Sequence, residues 1–372
     1  MRSKFDNKNY LILQQQPLAG STFSNWIKVL IENRFQIDWQ FIPKAIYVTV
    51  MILLTTPLRV IEKRKFDKLI KDIKIKKPIF IIGHWRSGTT FLHYLMGQDK
   101  DLGYTSTMQT LDPSVFLKYE EFLKKIVVNS MPKKRPMDNL ELNANLPYED
   151  EYAIANLCPY SFYHAWYFPR HIDRYFKEFV LHENDDSTNE KWKEVYLYFL
   201  KKITFKYNGK QIMLKSLVNT AKIKLLLEMF PDAKFIHLYR NPYNVYMSTW
   251  KLYDSILPIF SFQHIDREKF DNSILQIYKG IYKKYLDEKH LIPKENLIEL
   301  KYEEFIEEPL KTLEMIYSKF GISSFKKAKP AFVRYIKKHE NYKRNHHKID
   351  EKIEEKVYRE WGFVFKEFGY KK

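Results

Sequence analysis

The chain contains a single cysteine, Cys158, in 372 residues. An internal disulfide is therefore excluded, and a reducing, cytoplasmic setting is compatible. Glycine and proline are scarce, at 10 and 16 residues, which excludes collagen-like and linker-like chains. No internal repeat or low-complexity block is present. Residues 1–20 lack the apolar core and small-residue cleavage site of a signal peptide. Acidic residues are in deficit: 45 face 63 basic ones, a formal net charge of +18. Such an imbalance points to an anionic partner, whether nucleic acid, a membrane surface or a phosphorylated small molecule. Apolar residues, by contrast, are plentiful at 45%, with 16% aromatic. A chain of that composition buries enough surface to fold, so disorder is excluded.

The most apolar stretch, Ala45 to Leu58, carries no charge but includes Pro57. It is shorter than the roughly 20 residues of a spanning helix. Nine basic and three acidic residues follow between Arg59 and Lys77, a local net charge of +6. Two readings are open here. One is a buried helix followed by a solvated one. The other is a segment lying in an anionic membrane interface. A second basic block, Lys326 to Lys348, has net charge +8.

Downstream, short apolar runs alternate with helical patterns. Expected strands are Pro78 to Ile82, Gln211 to Leu214, Lys234 to Tyr239 and Asn296 to Leu300. Expected helices follow them at Thr89 to Gly97, Thr220 to Phe230, Pro242 to Tyr253 and onward to Phe320. That alternation predicts an α/β fold with a parallel sheet flanked by helices. Helical stretches at 112–127, 148–157 and 188–206 are expected to cover the sheet. Residues 1–77 read as a helical N-terminal region and 78–372 as the main domain. Ligands of such sheets bind at the carboxyl ends of the strands.

The first chemical motif is Gly83-His-Trp-Arg-Ser-Gly-Thr-Thr90, between a strand and a helix. It follows the nucleotide P-loop at both glycines and at Thr90, but Thr89 stands where the lysine belongs. Glycine turns, backbone N–H groups and a helix N-terminus still favour an anion. Arg86 supplies a guanidinium fork suited to phosphate or sulfate. The strand at 234–239 ends in Arg240, where P-loop NTPases hold an aspartate for magnesium. The ligand is thus anionic and handled without a metal. Ser248, about two helical turns beyond Arg240, can face a second phosphate together with Arg240.

Together these residues resemble the sulfotransferases that use 3′-phosphoadenosine 5′-phosphosulfate, and most closely the bacterial RSGTT type. The resemblance runs from about Pro78 to the C-terminus and implies a P-loop-like fold. It places the 5′-phosphosulfate on Arg86, Ser87, Gly88, Thr89 and Thr90. It places the 3′-phosphate on Arg240 and Ser248, with Lys343 and Arg344 in the basic stretch near the C-terminus.

Sulfuryl transfer to an alcohol needs cations on the developing charge and a base for the hydroxyl proton. Arg86 and Lys215, the latter at a strand's carboxyl end, are the cation candidates. Glu149 and then Glu151 are the base candidates, in a Glu-Asp-Glu run that resembles an acidic motif of the family. The same run can simply favour a helix N-terminus. A glutamate found in the related tyrosylprotein enzymes is absent here, where the chain reads Ser106-Thr-Met-Gln109. Asn219 occupies a position where relatives often carry histidine. His84 in the loop is a rival base. His339, His346 and His347 lack a metal-ligand spacing and read as a solvated basic face.

Aromatics crowd residues 148–168, either as core or as the lining of an apolar acceptor pocket. The second option, with the apolar N-terminal segment, suggests a lipophilic alcohol such as a sterol, steroid-like molecule or lipid. Two other classes compete: a basic nucleic-acid-binding protein, which lacks any standard binding motif here, and a P-loop kinase, which lacks its lysine.

Overall fold

Ile79–Gly83 forms the central strand β1, and every one of its residues is buried. In the computed structural model, β1 pairs with β3 (Gln211–Lys215) on one side and β4 (Lys234–Tyr239) on the other. β2 (Leu102–Tyr104) and β5 (Leu297–Lys301) complete a parallel sheet in the order β2-β3-β1-β4-β5. Complete burial of β1 matches its continuous apolar run, since a central parallel strand has no solvent face. β5 lies at the edge and alternates instead, with Ile298 and Leu300 buried and Glu299 exposed. β2 is a fifth strand that the four expected ones did not include. Its three residues, one of them glycine, are too few to make a pattern.

The structure describes residues 12–127, 131–135, 137–138, 140–340 and 349–372. These fall into two compact units. One lies within Met1–Lys74, Thr105–Gly209 and Lys251–Ser273; the other within Ile75–Tyr104, Lys210–Trp250 and Ile274–Lys372. The chain passes between them several times.

The second unit holds the sheet. Ile79, Ile81, Met213, Ile236 and Leu238 meet Leu92, Leu95, Leu313, Ile316 and Phe332 in one core. The intervening Phe80 and Phe235 stack on the other face, at 5.4 Å between ring centroids. This inside-outside alternation is the period of a pleated strand.

The first unit is helical. It includes α1 (Phe23–Glu32), α2 (Ile42–Ile70) and the helices Phe116–Val127, Asp150–Leu157 and Asp186–Lys206. The last three correspond to the stretches expected to cover the sheet, yet they fall in this unit rather than in the one containing it. The helices that share the sheet's core include α3 (Thr89–Met96), Tyr302–Glu307, Pro309–Phe320 and Phe325–His339. Ala45–Leu58 is also not a separate segment. It continues through Pro57 into the basic run as the single helix α2, and only one side of it is buried. A proline removes one helical hydrogen bond but need not end a helix. Here Thr55 and Thr56 donate back to the carbonyls of Met51 and Ile52 around it.

Candidate functional site

The strand order reverses at β1: the chain reaches β2 and β3 on one side before crossing to β4 and β5. A reversal of this kind leaves a crevice outside the carboxyl ends of β1, β3 and β4. Gly83–Thr90, Lys215 and Arg240 lie at those three ends.

The loop is rooted by Gly83 and Gly88. Gly83 has φ 139°, and a Cβ there would stand 2.3 Å from the carbonyl oxygen of Leu238. Gly88 has φ 94°, and its Cβ would meet the Tyr302 ring at 2.3 Å. Only glycine fits either place, because both sterics and backbone hand forbid a side chain. Gly88 is the residue from which α3 begins. Thr220, in a short 3₁₀ turn after β3, clamps the loop's start. Its hydroxyl accepts the Gly83 N–H at 2.8 Å and donates to the Gly83 carbonyl at 2.7 Å.

Arg86 is a non-glycine residue at φ 72°. That left-handed backbone costs about 1 kcal/mol and needs support from its surroundings. Two contacts supply it. The Arg86 Nε donates to Ser248 Oγ at 2.9 Å, and Arg240 Nη1 donates to the Arg86 carbonyl at 3.1 Å. Arg240 also lies over the Tyr302 ring, 4.4 Å from its centroid. Burial lowers the pKa of Arg240 from its usual value, with Tyr302 and Glu303 opposing the change. A guanidinium remains charged under such a shift. Ser248 sits on the helix Pro242–Phe260, whose start is organised by Asn241, the acceptor for the Tyr243 and Asn244 N–H groups. Lys215, buried at the end of β3, donates to Thr90 Oγ1 at 3.4 Å.

The second unit thus brings together Arg86, Ser87, Gly88, Thr89, Thr90, Lys215, Arg240 and Ser248. Lys343 and Arg344 lie outside the described residues. Thr220 and Tyr302 are positioning residues that sequence reasoning missed. Thr220 directly follows Asn219, but nothing local marks its partner. Tyr302 follows β5 and carries no motif at all.

His84 is buried, with Nδ1 3.0 Å from the Trp85 carbonyl oxygen and its ring edge-on to Trp85 and Tyr278. Burial pushes its pKa down to about 3. A histidine so placed is a weak proton acceptor.

In the first unit, the Glu149-Asp150-Glu151 run opens the helix Asp150–Leu157, and each carboxylate has its own partner. Tyr163 donates its hydroxyl to Glu149. Tyr196 donates to Asp150 at 2.7 Å. Ser161 and the Phe162 N–H donate to Glu151 at 2.7 and 3.2 Å. Glu149 stands at the N-cap without a side-chain capping bond, and Asp150 and Glu151 lie in the first turn, where a carboxylate also favours the helix N-terminus. Burial raises Asp150 to about 6, against the opposing Tyr196 hydrogen bond. Glu149 is 8% exposed, whereas Asp150 and Glu151 are fully buried. Around them, Tyr152 packs against Tyr148, Tyr163, Trp166 and Phe260, so most of the aromatic stretch is core.

Comparison with known proteins bears on this geometry. The sequence model of the sulfotransferase family matches residues 78–327. Two relatives, named omega-hydroxy-beta-dihydromenaquinone-9 sulfotransferase Stf3 and found in Mycobacterium bovis and Mycobacterium tuberculosis, are each 31% identical over 356 residues. The match covers 95% of this chain and 90% of theirs. Among solved structures, sulfotransferase STF9 of Mycobacterium avium superposes with a TM-score of 0.65 at 16% identity, covering 94% of this chain and 97% of that one. Sulfotransferase STF1 of Mycobacterium tuberculosis gives 0.61 at 15% identity, covering 83% and 86%. The fold is shared with both. The nucleic-acid-binding and kinase alternatives find no support among these matches. A sheet with a lysine-free phosphate loop, a strand-end arginine tied to that loop, and a family match over most of the chain agree: this protein is an enzyme of the sulfotransferase family.

Proposed function

We propose that this sulfotransferase moves a sulfuryl group from 3′-phosphoadenosine 5′-phosphosulfate to the hydroxyl of a lipophilic alcohol, without a metal. The observation that carries the donor assignment is the linked set Arg240–Arg86–Ser248, which joins two separate motifs at the sheet's carboxyl end. The glycine-rooted cradle and the two guanidinium groups suit a ligand with two anionic ends. In this reading Arg86, Ser87, Gly88, Thr89 and Thr90 hold the 5′ side, and Arg240 and Ser248 hold the 3′-phosphate. Lys343 and Arg344 add charge there. The transferase domain is taken as 78–372, and the family match begins at the same residue.

The bond that forms is between acceptor oxygen and sulfur; the one that breaks joins sulfur to the 5′-phosphate oxygen. Arg86 and Lys215 stabilise charge on the transferring group and the departing phosphate. Glu149 accepts the hydroxyl proton, with Glu151 the second candidate. Glu149 is preferred because it alone of the three carboxylates keeps some exposure. His84 drops to last place, since its ring is packed and burial disfavours its protonated form. The acceptor assignment rests on the Stf3 relatives, whose name specifies a hydroxylated menaquinone. A cytoplasmic location fits the lone buried thiol of Cys158.

The test is a calorimetric titration with adenosine 3′,5′-bisphosphate, with and without magnesium. Binding independent of magnesium and weakened roughly tenfold to a hundredfold by Arg240→Ala is expected for loss of a charge-assisted contact. No binding of that nucleotide, together with binding of ATP or DNA, refutes the donor assignment.

A further inference from the structure

The outer side of α2 is apolar and uncovered. Ile42, Ile46, Val50, Leu53, Leu54 and Ile61 recur at helical spacing and so share one side of the helix. All six are exposed, Leu53 by 53% and Leu54 by 67%. Trp39, just ahead of the helix, is 80% exposed. Past Ile61 the same side turns basic. Arg64, Lys68 and Lys71 continue the spacing of the stripe and are all exposed.

The opposite side of α2 is held by protein. Lys44 donates to the carbonyls of Pro258 and Ser261 at 3.2 and 2.9 Å. Glu62 pairs with Lys202 at 2.7 Å, and Arg59 with Asp112 at 3.7 Å. These buried charges decide the mode of any membrane contact. By length and composition α2 is apolar enough to cross a bilayer. Crossing would strip Lys44, Arg59 and Glu62 of their partners inside hydrocarbon, which is strongly unfavourable. Lying in the interface leaves those contacts intact and immerses only the outer stripe.

The charge pattern also selects the partner. A second copy pairing antiparallel along this side would set Arg64 and Lys68 against apolar residues. A parallel pairing would set like charges opposite each other. A bilayer with anionic headgroups matches both halves of the stripe at once, and an exposed tryptophan suits the same boundary. We propose that the outer side of α2 docks on an anionic lipid surface. The Ile42–Ile61 stripe inserts among the acyl chains, while Arg64, Lys68 and Lys71 sit among the headgroups. This proposal does not depend on the donor or acceptor assignment.

The test is flotation of the full chain with two kinds of vesicle: pure phosphatidylcholine, and phosphatidylcholine with about a third phosphatidylglycerol. Binding to the anionic vesicles, weakened by salt, is expected. The double variant Leu53→Glu/Leu54→Glu lowers the bound fraction roughly tenfold or more, as does Arg64→Glu/Lys68→Glu, and only the second flattens the salt dependence. Both variants alter exposed side chains, and circular dichroism and an unchanged Tm verify folding. Arg64→Ala/Lys68→Ala serves if either double variant misfolds. Absence of binding to anionic vesicles overturns the proposal, as does binding indifferent to these changes. So does sedimentation showing a lipid-free dimer that Leu53→Glu/Leu54→Glu dissociates, because the stripe would then be an interface between copies.

Discussion

Arg86 and Ser248, 162 residues apart in the chain, are joined by a 2.9 Å hydrogen bond from Nε to Oγ. The bond connects the phosphate loop after β1 to the helix after β4, and so couples the two ends of the proposed donor site. A single hydrogen bond of this kind contributes about 0.5–1.5 kcal/mol. Ser248→Ala therefore weakens adenosine 3′,5′-bisphosphate binding about threefold to tenfold, measured by calorimetry, with little change in Tm. Unchanged affinity would remove Ser248 from the site.

Gly88→Ala has a larger effect for a different reason. The added methyl meets the Tyr302 ring, and φ 94° is hostile to any L side chain. Overlap and backbone strain together are expected to cost about 2–4 kcal/mol, read from denaturant midpoints. Pairing it with Tyr302→Ala removes the overlap but leaves the strain, so recovery is partial. Full recovery would show that backbone hand is irrelevant at this position.

Proton transfer is the role proposed for Glu149, with Glu151 as the second candidate. Glu149→Gln lowers kcat by a factor of about 10²–10⁴, the usual contribution of a general base, and leaves nucleotide affinity intact. Glu151→Gln disturbs the Ser161 and Phe162 contacts and acts mainly on stability. Steady-state kinetics with the proposed donor and a lipophilic alcohol acceptor distinguish the two. The reverse pattern would move the base to Glu151.

Asp150 makes stability depend on pH. Its carboxyl titrates near 6 when folded and near 3.8 when unfolded. Folding thus favours the protonated form. The stability it provides is fully present below pH 3.8 and is lost as pH rises through 6. The change across that window is about 3 kcal/mol. Asp150→Asn keeps an acceptor for Tyr196 and removes this slope. Urea denaturation from pH 4 to pH 7 should show the variant gaining on the wild type as pH rises. Parallel curves would exclude Asp150 as the source.

Local order accounts for what was legible beforehand. Ile79–Gly83, the Gly83–Thr90 loop, Lys234–Tyr239 and Arg240 are each contiguous, and their signals lie within one turn or strand. The Lys234–Tyr239 strand matches its expected bounds residue for residue. By contrast, β2 is too short to register, and α2 was read in two pieces because Pro57 and the onset of charge resemble an ending. The stretches at 112–127, 148–157 and 188–206 fall in the unit that does not hold the sheet, and an amphipathic pattern states that a helix has a buried side without naming its partner.

The sequence alone determined a parallel α/β sheet, a glycine-rich loop without the P-loop lysine and the sulfotransferase resemblance, because period, turn residues and motif spacing are properties of neighbours in the chain. Only the tertiary structure decided that Thr220 clamps Gly83 across 137 residues and that Arg240 reaches the Arg86 carbonyl. It alone gave each carboxylate of residues 149–151 a separate partner and left one side of α2 exposed. These follow from strand order and packing, which bring distant residues to one place, and no local pattern encodes which distant residue arrives.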